Sequence, residues 1–434
     1  MSTSSELLAR YSADDVGLCL RENGLVVYRE NGNRQIASHD MLRKVKPLLR
    51  LLGVTRVAEI SALSTYPYPV FQAVRPNVHS HRKIGQNTGS QGKGPSAVQA
   101  ELSAVMEALE GYCAEPKGPL SLVRGSFDFL RAQHVTLDPR LLERRAWAKP
   151  VESDEPLMWT EAWCEPIGAS VLIPAETVFF PFLPEDFATR TIFQSGSNGL
   201  ASGATYLEAV THALYELVER HYCNEWEQGR ATAERFHLAG LIDLEEHAEL
   251  ASDYQVAIYA LSLPHEPNLP VVVCFITETS TNRRFPGAGC AGNVEIAVSR
   301  AISEAWQAVT SVSSGAREDV ARHGGTYPPL LPEARTLRAD DYRRRVVDQA
   351  FASLRGEYEF LVAWLASLGV GPICIANLTR RGVDMPVTKV VVPGLGWAAA
   401  RKDPARRAGP GITTTDLLRV RHGARHQARS SEHA

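Results

Sequence analysis

An α+β architecture is the fold class this sequence predicts, and three observations predict it. Segments with strand character and segments with helical spacing do not alternate one for one, which disfavours a doubly wound parallel sheet. Three long helical segments, over 96–112, 205–226 and 294–314, stand apart, with apolar β-rich stretches at 256–260 and 271–276 between the second and third. No internal repeat of fixed period occurs, which excludes a solenoid.

The bulk numbers set the frame. With 434 residues, 44% of them hydrophobic, the chain has ample material for a large core. A net charge of −3 gives no support to a nucleic-acid partner. No run approaches the roughly 20 apolar residues of a membrane span, and the first six residues lack the basic and apolar regions of a signal peptide. Seven scattered cysteines with no C-x-x-C fit reduced, buried thiols of a cytoplasmic protein rather than a disulfide framework or zinc site.

In chain order, residues 1–60 read as a small α/β lead-in. Val26, Val27 and Tyr28 suggest a strand, and 39–52 a helix with Leu42, Val45, Leu48 and Leu49 at helical spacing. Pro47 is expected to kink or split that helix, and Gly53 to cap it. A short strand over 70–74 is followed, from Arg75 to Gly94, by what reads as a long polar, glycine-rich loop. Residues 61–400 read as one catalytic domain, and 401–434 as a polar, disordered C-terminal tail.

The chemistry-bearing feature is an acidic pattern shared by the three helices. The first carries Glu107 and Glu110, the second Glu208, Glu216 and Glu219, the third Glu304 with Gln307. Helical residues three apart share a face, so Glu107 pairs with Glu110 and Glu304 with Gln307. Glu208 and Glu219, eleven apart, are about three whole turns from each other, and Glu216 lies within about 80° of both. The opposite side of that helix is apolar, with Ala209, Val210, Ala213, Leu214, Leu217 and Val218. Taken singly, such glutamates are ordinary solvated residues of amphipathic helices. Three such helices, two beside glycine-rich loops, favour a shared acidic site, because converging carboxylates repel and divalent cations relieve the repulsion. Arg220 sits beside them as a candidate phosphate clamp.

The loops supply backbone N–H groups. Ser90 to Gly94 precedes the first helix, and Ser195 to Gly203 the second. Neither is a Walker A loop: Gly94 stands where Ser or Thr should follow Lys93. Gly287, Gly289 and Gly292 match G-x-G-x-x-G, but the polar stretch 277–284 separates them from the nearest strand read in the sequence. A tight strand-to-helix dinucleotide turn is therefore disfavoured.

Together the motifs resemble the YcaO family. They are Gly92-Lys93-Gly94; Ser103-Ala104 through Glu110; Ser197-Asn198-Gly199 through Gly203; Glu208 through Arg220; and Ala301 through Gln307 with Gly315 to Asp319. Each is weak alone, and the ordered set over roughly residues 85 to 320 is specific. The stretches Leu52 to Glu59, Ala73 to Asn77 and Val391 to Leu395 resemble members that work with a TfuA partner or stand alone. The resemblance implies a fold of sheets covered by helices with a non-P-loop ATP site. It implies that Glu107, Glu110, Glu208, Glu216 and Glu219 hold Mg²⁺, and that Glu216, Glu219 and Arg220 are catalytic. Lys93, Ser202, Arg220, Glu304, Gln307 and Arg317 become nucleotide-binding candidates.

The implied reaction is ATP-dependent activation of a backbone amide in a ribosomal precursor peptide. A nucleophile adds to the amide carbon, the oxyanion attacks the γ-phosphate, and phosphate leaves with the former amide oxygen. A Cys, Ser or Thr side chain then gives an azoline, sulfide a thioamide and an amine an amidine. The residues leave these open, with cyclodehydration to a thiazoline or oxazoline the leading expectation. A TfuA-like or leader-binding partner and a homodimer are also expected from the family.

Departures from the family pattern are Ala204, Val309, and an end at Ala434 without a proline-rich tail. Ala204 and Val309 keep a non-catalytic nucleotide-binding scaffold as a rival, against which the five glutamates and Arg220 weigh, while the missing proline-rich tail weighs against an ordinary partner-dependent azoline former. A hydrolytic metalloenzyme built on His79 and His81 lacks a third ligand. Cys223 and Cys290 are weaker candidates as nucleophiles.

Overall fold

A computed structural model describes residues 12–76, 87–116, 121–182, 191–238, 253–264, 267–314 and 336–396. The described residues begin with α1 (Ala13–Cys19), a two-residue ladder of β1 (Tyr28–Arg29) and β2 (Asn33–Arg34), and helices α2 (Ser38–Val45) and α3 (Leu49–Leu52). Strands β3 (Arg56–Glu59), β4 (Val70–Pro76) and β5 (Asn87–Lys93) lead into α4 (Ala97–Ala114). Next come β6 (Val123–Gly125), α5 (Phe127–Leu130), β7 (Leu157–Glu165), β8 (Ala169–Pro174), β9 (Leu200–Ser202) and α6 (Tyr206–Glu227). Strands β10 (Thr232–Phe236), β11 (Tyr254–Ser262), β12 (Val271–Glu278) and β13 (Arg284–Cys290) precede α7 (Val294–Ser313). Beyond it lie β14 (Thr336–Leu337), α8 (Ala339–Arg343), α9 (Leu354–Ser367), β15 (Ile373–Asn377) and β16 (Val387–Val391).

These elements form two compact units, each assembled from separate stretches of chain. The first draws its described residues from 12–24, 110–217 and 354–396, the second from 25–109 and 218–353. The boundary passes through α4, between Leu109 and Glu110, and through α6, between Leu217 and Val218.

The first unit is built on an antiparallel sheet of order β6-β7-β15-β16-β9, with β8 also paired to β7. The largely apolar character of β8 and β15 reflects burial of most of their residues, and β16 is buried too although it carries Thr388 and Lys389. Helix α9 buries Leu354, Glu357, Tyr358, Leu361, Trp364 and Leu365, a stripe at helical spacing. Its one buried acid, Glu357, accepts a 2.8 Å hydrogen bond from the Tyr215 hydroxyl.

The second unit contains two sheets. The larger has order β13-β12-β11-β10-β14, antiparallel except where β14 joins β10. Helix α7 lays Val294, Ala297, Val298, Ala301, Ala305, Trp306 and Val309 into a core with Ile258, Val272, Cys274 and Ile276 of that sheet. Asn293 caps its N-terminus by accepting the Ile296 N–H. The smaller sheet, β3-β4-β5, is antiparallel, and Ala73 packs with Ala104 and Ala108 of α4.

The expected α+β class is what the structure shows, and the three long helices match their predicted spans within two residues at each end. The split expected at Pro47 is present, as a 3₁₀ turn at Lys46–Leu48 that separates α2 from α3. Gly53 does cap α3 in the left-handed region, at φ +71°. Other local expectations are corrected. Only Tyr28 of the expected strand at 26–28 lies in β1. The polar stretch read as a loop from Arg75 to Gly94 is strand at both ends, since β4 runs through Pro76 and β5 spans Asn87–Lys93. In the loop before the second helix, Leu200–Ser202 is strand β9.

Candidate active site

The smaller sheet places Gln91 and Lys93, strand β9 places Ser202, and the helices place the other described candidates. Strand β5 is an edge strand, and its neighbouring helices divide its residues by the alternation of side chains. Gly92 and Gly94 face α4, where a Cβ on Gly92 would lie 2.0 Å from the Ala104 nitrogen. Gln91 and Lys93 reach α7 instead. The glycines thus let the strand press against a helix, and the residues between them are aimed at the other one.

In the second unit these contacts assemble six of the predicted residues with Gln91. The Gln91 N–H donates to Glu107 Oε2 at 3.0 Å, and its carbonyl accepts from Gln307 Nε2 at 2.6 Å. Its side-chain oxygen contacts the Ser311 hydroxyl. Lys93 Nζ lies 3.7 Å from Glu304 Oε2, and Arg220 donates to Glu304 Oε1 at 3.3 Å. Arg220 also lies 3.5 Å from Glu219 Oε1. The result is a chain of alternating charge: Lys93, Glu304, Arg220, Glu219. Burial alone would push the Glu304 carboxyl up. Lys93, Arg220 and the Ala288 N–H outweigh it and hold that carboxyl below the usual range, so Glu304 is ionised.

In the first unit the predicted carboxylates Glu110, Glu208 and Glu216 each accept a hydrogen bond. Ser202, at the end of β9, donates its hydroxyl to Glu110 Oε1 at 2.6 Å. Glu208 Oε2 accepts the Ala204 N–H at 3.0 Å, while the Glu208 N–H reaches the Thr205 hydroxyl at 3.2 Å. This is a helix-start arrangement, so Glu208 has a structural task besides any chemical one. Glu216 Oε2 accepts the Gly199 N–H at 3.1 Å. Lys389 of β16, only 4% exposed, donates to the carbonyls of Gly196 and Asn198, each at 2.6 Å. Burial lowers the Lys389 ammonium to about 8, and the charge of Glu216 opposes that shift.

The donor set suits a hard divalent cation in part. Glu208 and Glu219 are buried carboxylates, and buried carboxylates call for a compensating cation. Among the described residues no group of three or more His, Cys, Asp and Glu side chains is gathered to hold a metal by itself. Mg²⁺ in nucleotide sites ordinarily uses one or two carboxylates and completes its shell with phosphate oxygens and water. Individually presented glutamates fit that mode.

Arg317, His79, His81 and the tail 401–434 lie outside the described residues. The G-x-G-x-x-G match is structural. Gly287 and Gly289 lie within β13, where a Cβ would come 2.2 Å from Ala305 N and 2.1 Å from Ala297 O of α7. Val309 is in the core of the second unit, so the departure there concerns a packing position. Burial raises the thiols of Cys223 and Cys290, which argues against either as a nucleophile. Sequence reasoning missed Gln91, whose neighbours read as loop. It also missed Lys389, although a single charge inside the apolar run of β16 was a visible signal.

Gln307 has a structural use that is testable. Its amide is the donor to the Gln91 carbonyl, so Gln307→Leu is expected to destabilise the protein by about 1–3 kcal/mol. Urea unfolding checks this, and an unchanged midpoint would contradict the contact.

Residues 91–396 match the family model described as YcaO cyclodehydratase, ATP- and Mg²⁺-binding. The chain is 30% identical over 396 residues to an uncharacterised Mycobacterium tuberculosis protein, covering 86% of this chain and 85% of that one. It is 26% identical over 388 residues to a Rhizobium leguminosarum bv. trifolii protein of the tfuA 3′ region, covering 84% and 88%. In fold it is similar to YcaO from Methanopyrus kandleri, solved with AMPPCP and Mg²⁺, at a TM-score of 0.68 and 25% identity, covering 89% of this chain and 99% of that one. A heterocyclase solved with substrate and cofactor gives a TM-score of 0.71 at 20% identity, covering 87% and 54%.

Proposed function

Because the chain belongs to the YcaO family of ATP- and Mg²⁺-binding cyclodehydratases, we propose that it activates a backbone amide of a ribosomally made precursor peptide. The specific reaction we favour is cyclodehydration of a Cys, Ser or Thr residue to a thiazoline or oxazoline. The observation that carries the reading is the alternating run Lys93–Glu304–Arg220–Glu219 within the matched region. Two cations held at an ionised carboxylate are pre-positioned for an anionic ligand without a Walker loop.

Glu107, Glu110, Glu208, Glu216 and Glu219 are the residues we assign to Mg²⁺. Lys93, Ser202, Arg220, Glu304, Gln307 and Arg317 are those assigned to the nucleotide. Bound Mg²⁺ supplies neutralisation of the charge that develops on phosphate oxygens during transfer. The protein's own contribution is orientation: backbone N–H groups of Gln91, Gly199 and Ala204 fix three of the carboxylates. Arg220 holds its place between two acids. Among the described residues no helix is long and apolar enough to cross a membrane, and with the free thiols this supports work in the cytoplasm.

A second reading, thioamide formation with sulfide and a TfuA-like partner, is favoured by one observation: a relative belongs to a tfuA 3′ region. Intact mass spectrometry of a candidate precursor with Mg²⁺ and ATP separates the two. Loss of one water is the expected result. A gain equal to sulfur replacing oxygen, only when sulfide and a TfuA-like protein are added, would establish the second. No mass change under any of these conditions, with ATP bound, would favour a scaffold.

A further inference from the structure

Lys389 is an expensive residue to place where it is. It lies on β16, between β15 and β9, paired with Ala376 on one side and Leu200 on the other. Strand β16 is otherwise apolar or buried along nearly its whole length. Removing an ammonium from water carries a large desolvation cost, which protein carbonyls and a nearby carboxylate only partly offset. A Leu or Met would fill the same sheet position without that cost.

The surroundings show what the charge holds. Two of the three ammonium protons go to the carbonyls of Gly196 and Asn198 at 2.6 Å. The loop is tied to the strand a second time, by the Val390 N–H donating to the Gly199 carbonyl at 2.7 Å. The Leu200 N–H closes a turn onto the Ser197 carbonyl, also at 2.7 Å. Gly199 adopts φ +76°, and a Cβ there would meet the Val390 carbonyl at 2.4 Å. With the loop so fixed, the Gly199 N–H points at Glu216. The chain of contacts therefore runs from the lysine, through three loop residues, to one of the acids assigned to Mg²⁺. The carbonyls of Gly196 and Asn198 converge on the ammonium, and the N–H of Gly199 donates to the carboxylate.

We propose that Lys389 is a positioning residue for the nucleotide site: its buried ammonium folds the 196–199 loop so that Gly199 fixes the Glu216 carboxylate for Mg²⁺. This rests on the reading that Glu216 serves Mg²⁺ and ATP. Lys389 itself touches neither reacting group.

The test is a double-mutant cycle on the full-length protein. Binding of a non-hydrolysable ATP analogue is measured by calorimetry across a Mg²⁺ titration for wild type, Lys389→Met, Glu216→Gln and the double variant. Lys389→Met is expected to weaken Mg²⁺-dependent nucleotide binding roughly 10- to 100-fold, as loss of an outer-shell partner does. The double variant is expected to be no weaker than Glu216→Gln alone, because the lysine acts through that carboxylate. Wild-type affinity in Lys389→Met beside a weakened Glu216→Gln overturns the proposal and leaves the site reading intact. Wild-type affinity in Glu216→Gln overturns the site reading, and the proposal with it. Additive losses overturn it too, since they place Lys389 outside the Glu216 pathway. If Lys389→Met does not fold, Lys389→Gln takes its place in the same cycle. Failure of both to fold would assign the lysine to the core alone.

Discussion

Glu216→Gln and Glu219→Gln are each expected to lower Mg²⁺- and ATP-dependent turnover by about 10²–10³-fold or more while leaving the unfolding midpoint near wild type. The substitution removes one negative charge and almost no volume. A glutamine at 216 keeps an oxygen that accepts the Gly199 N–H, so the loop contact survives. A glutamine at 219 keeps the size of a side chain that is only 7% exposed. It relaxes the charge run at Arg220, which retains Glu304. What neither variant keeps is a full anionic oxygen for a hard divalent cation. The measurement is phosphate release with precursor peptide, run over a range of Mg²⁺, alongside a thermal melt. If both variants turn over normally, the metal assignment fails. If both lose activity only because they have melted, the carboxylates are structural.

The parts of this fold that periodicity governs were legible in the sequence, and the parts that close approach governs were not. Helices α4, α6 and α7 carry long apolar stripes, and their spans were read within two residues. Pro47 marked the break between α2 and α3 before the structure showed a 3₁₀ turn there. Strand β5, by contrast, has the sequence Asn-Thr-Gly-Ser-Gln-Gly-Lys, which local propensity reads as loop. Its Gly92 is imposed by the helix that lies against it, a tertiary demand that a local window does not contain. The same holds for Gly287 and Gly289 of β13, which press against α7 and imitate a dinucleotide fingerprint because both motifs need a backbone without a Cβ. Of the candidate site, the acidic residues were found because they repeat at helical spacing. Gln91 acts mainly through its backbone N–H and carbonyl, which carry no residue-specific signal. Lys389 stood in plain view as the lone charge of β16, but its partners are carbonyls. A carbonyl belongs to every residue, so spacing does not predict the contact.

Gly92→Ala is expected to be among the most damaging single-methyl substitutions in the second unit. The added carbon would sit 2.0 Å from Ala104 N and 2.1 Å from Ala100 O. Both are α4 backbone atoms, and no rotamer change relieves the clash. Either the helix or the strand has to retreat by more than 1 Å, on the order of what overpacked cores tolerate only with a loss of about 3 kcal/mol or more. Gly89→Ala in the same strand is the control. Its Cβ would meet Gln72 Nε2 at 3.1 Å, the end of a movable side chain, and the expected cost is about 1 kcal/mol or less. Urea unfolding of the two variants reads the difference. Nucleotide binding reads its consequence, because a displaced α4 carries Glu107 away from the Gln91 N–H. Gly89→Ala should bind the Mg²⁺–ATP analogue as wild type does, and Gly92→Ala should bind it poorly even below its unfolding midpoint. Equal midpoints for the two variants would mean that β5 does not press on α4. The glycines before the first acidic helix would then belong to a phosphate-facing loop, as the sequence alone suggested.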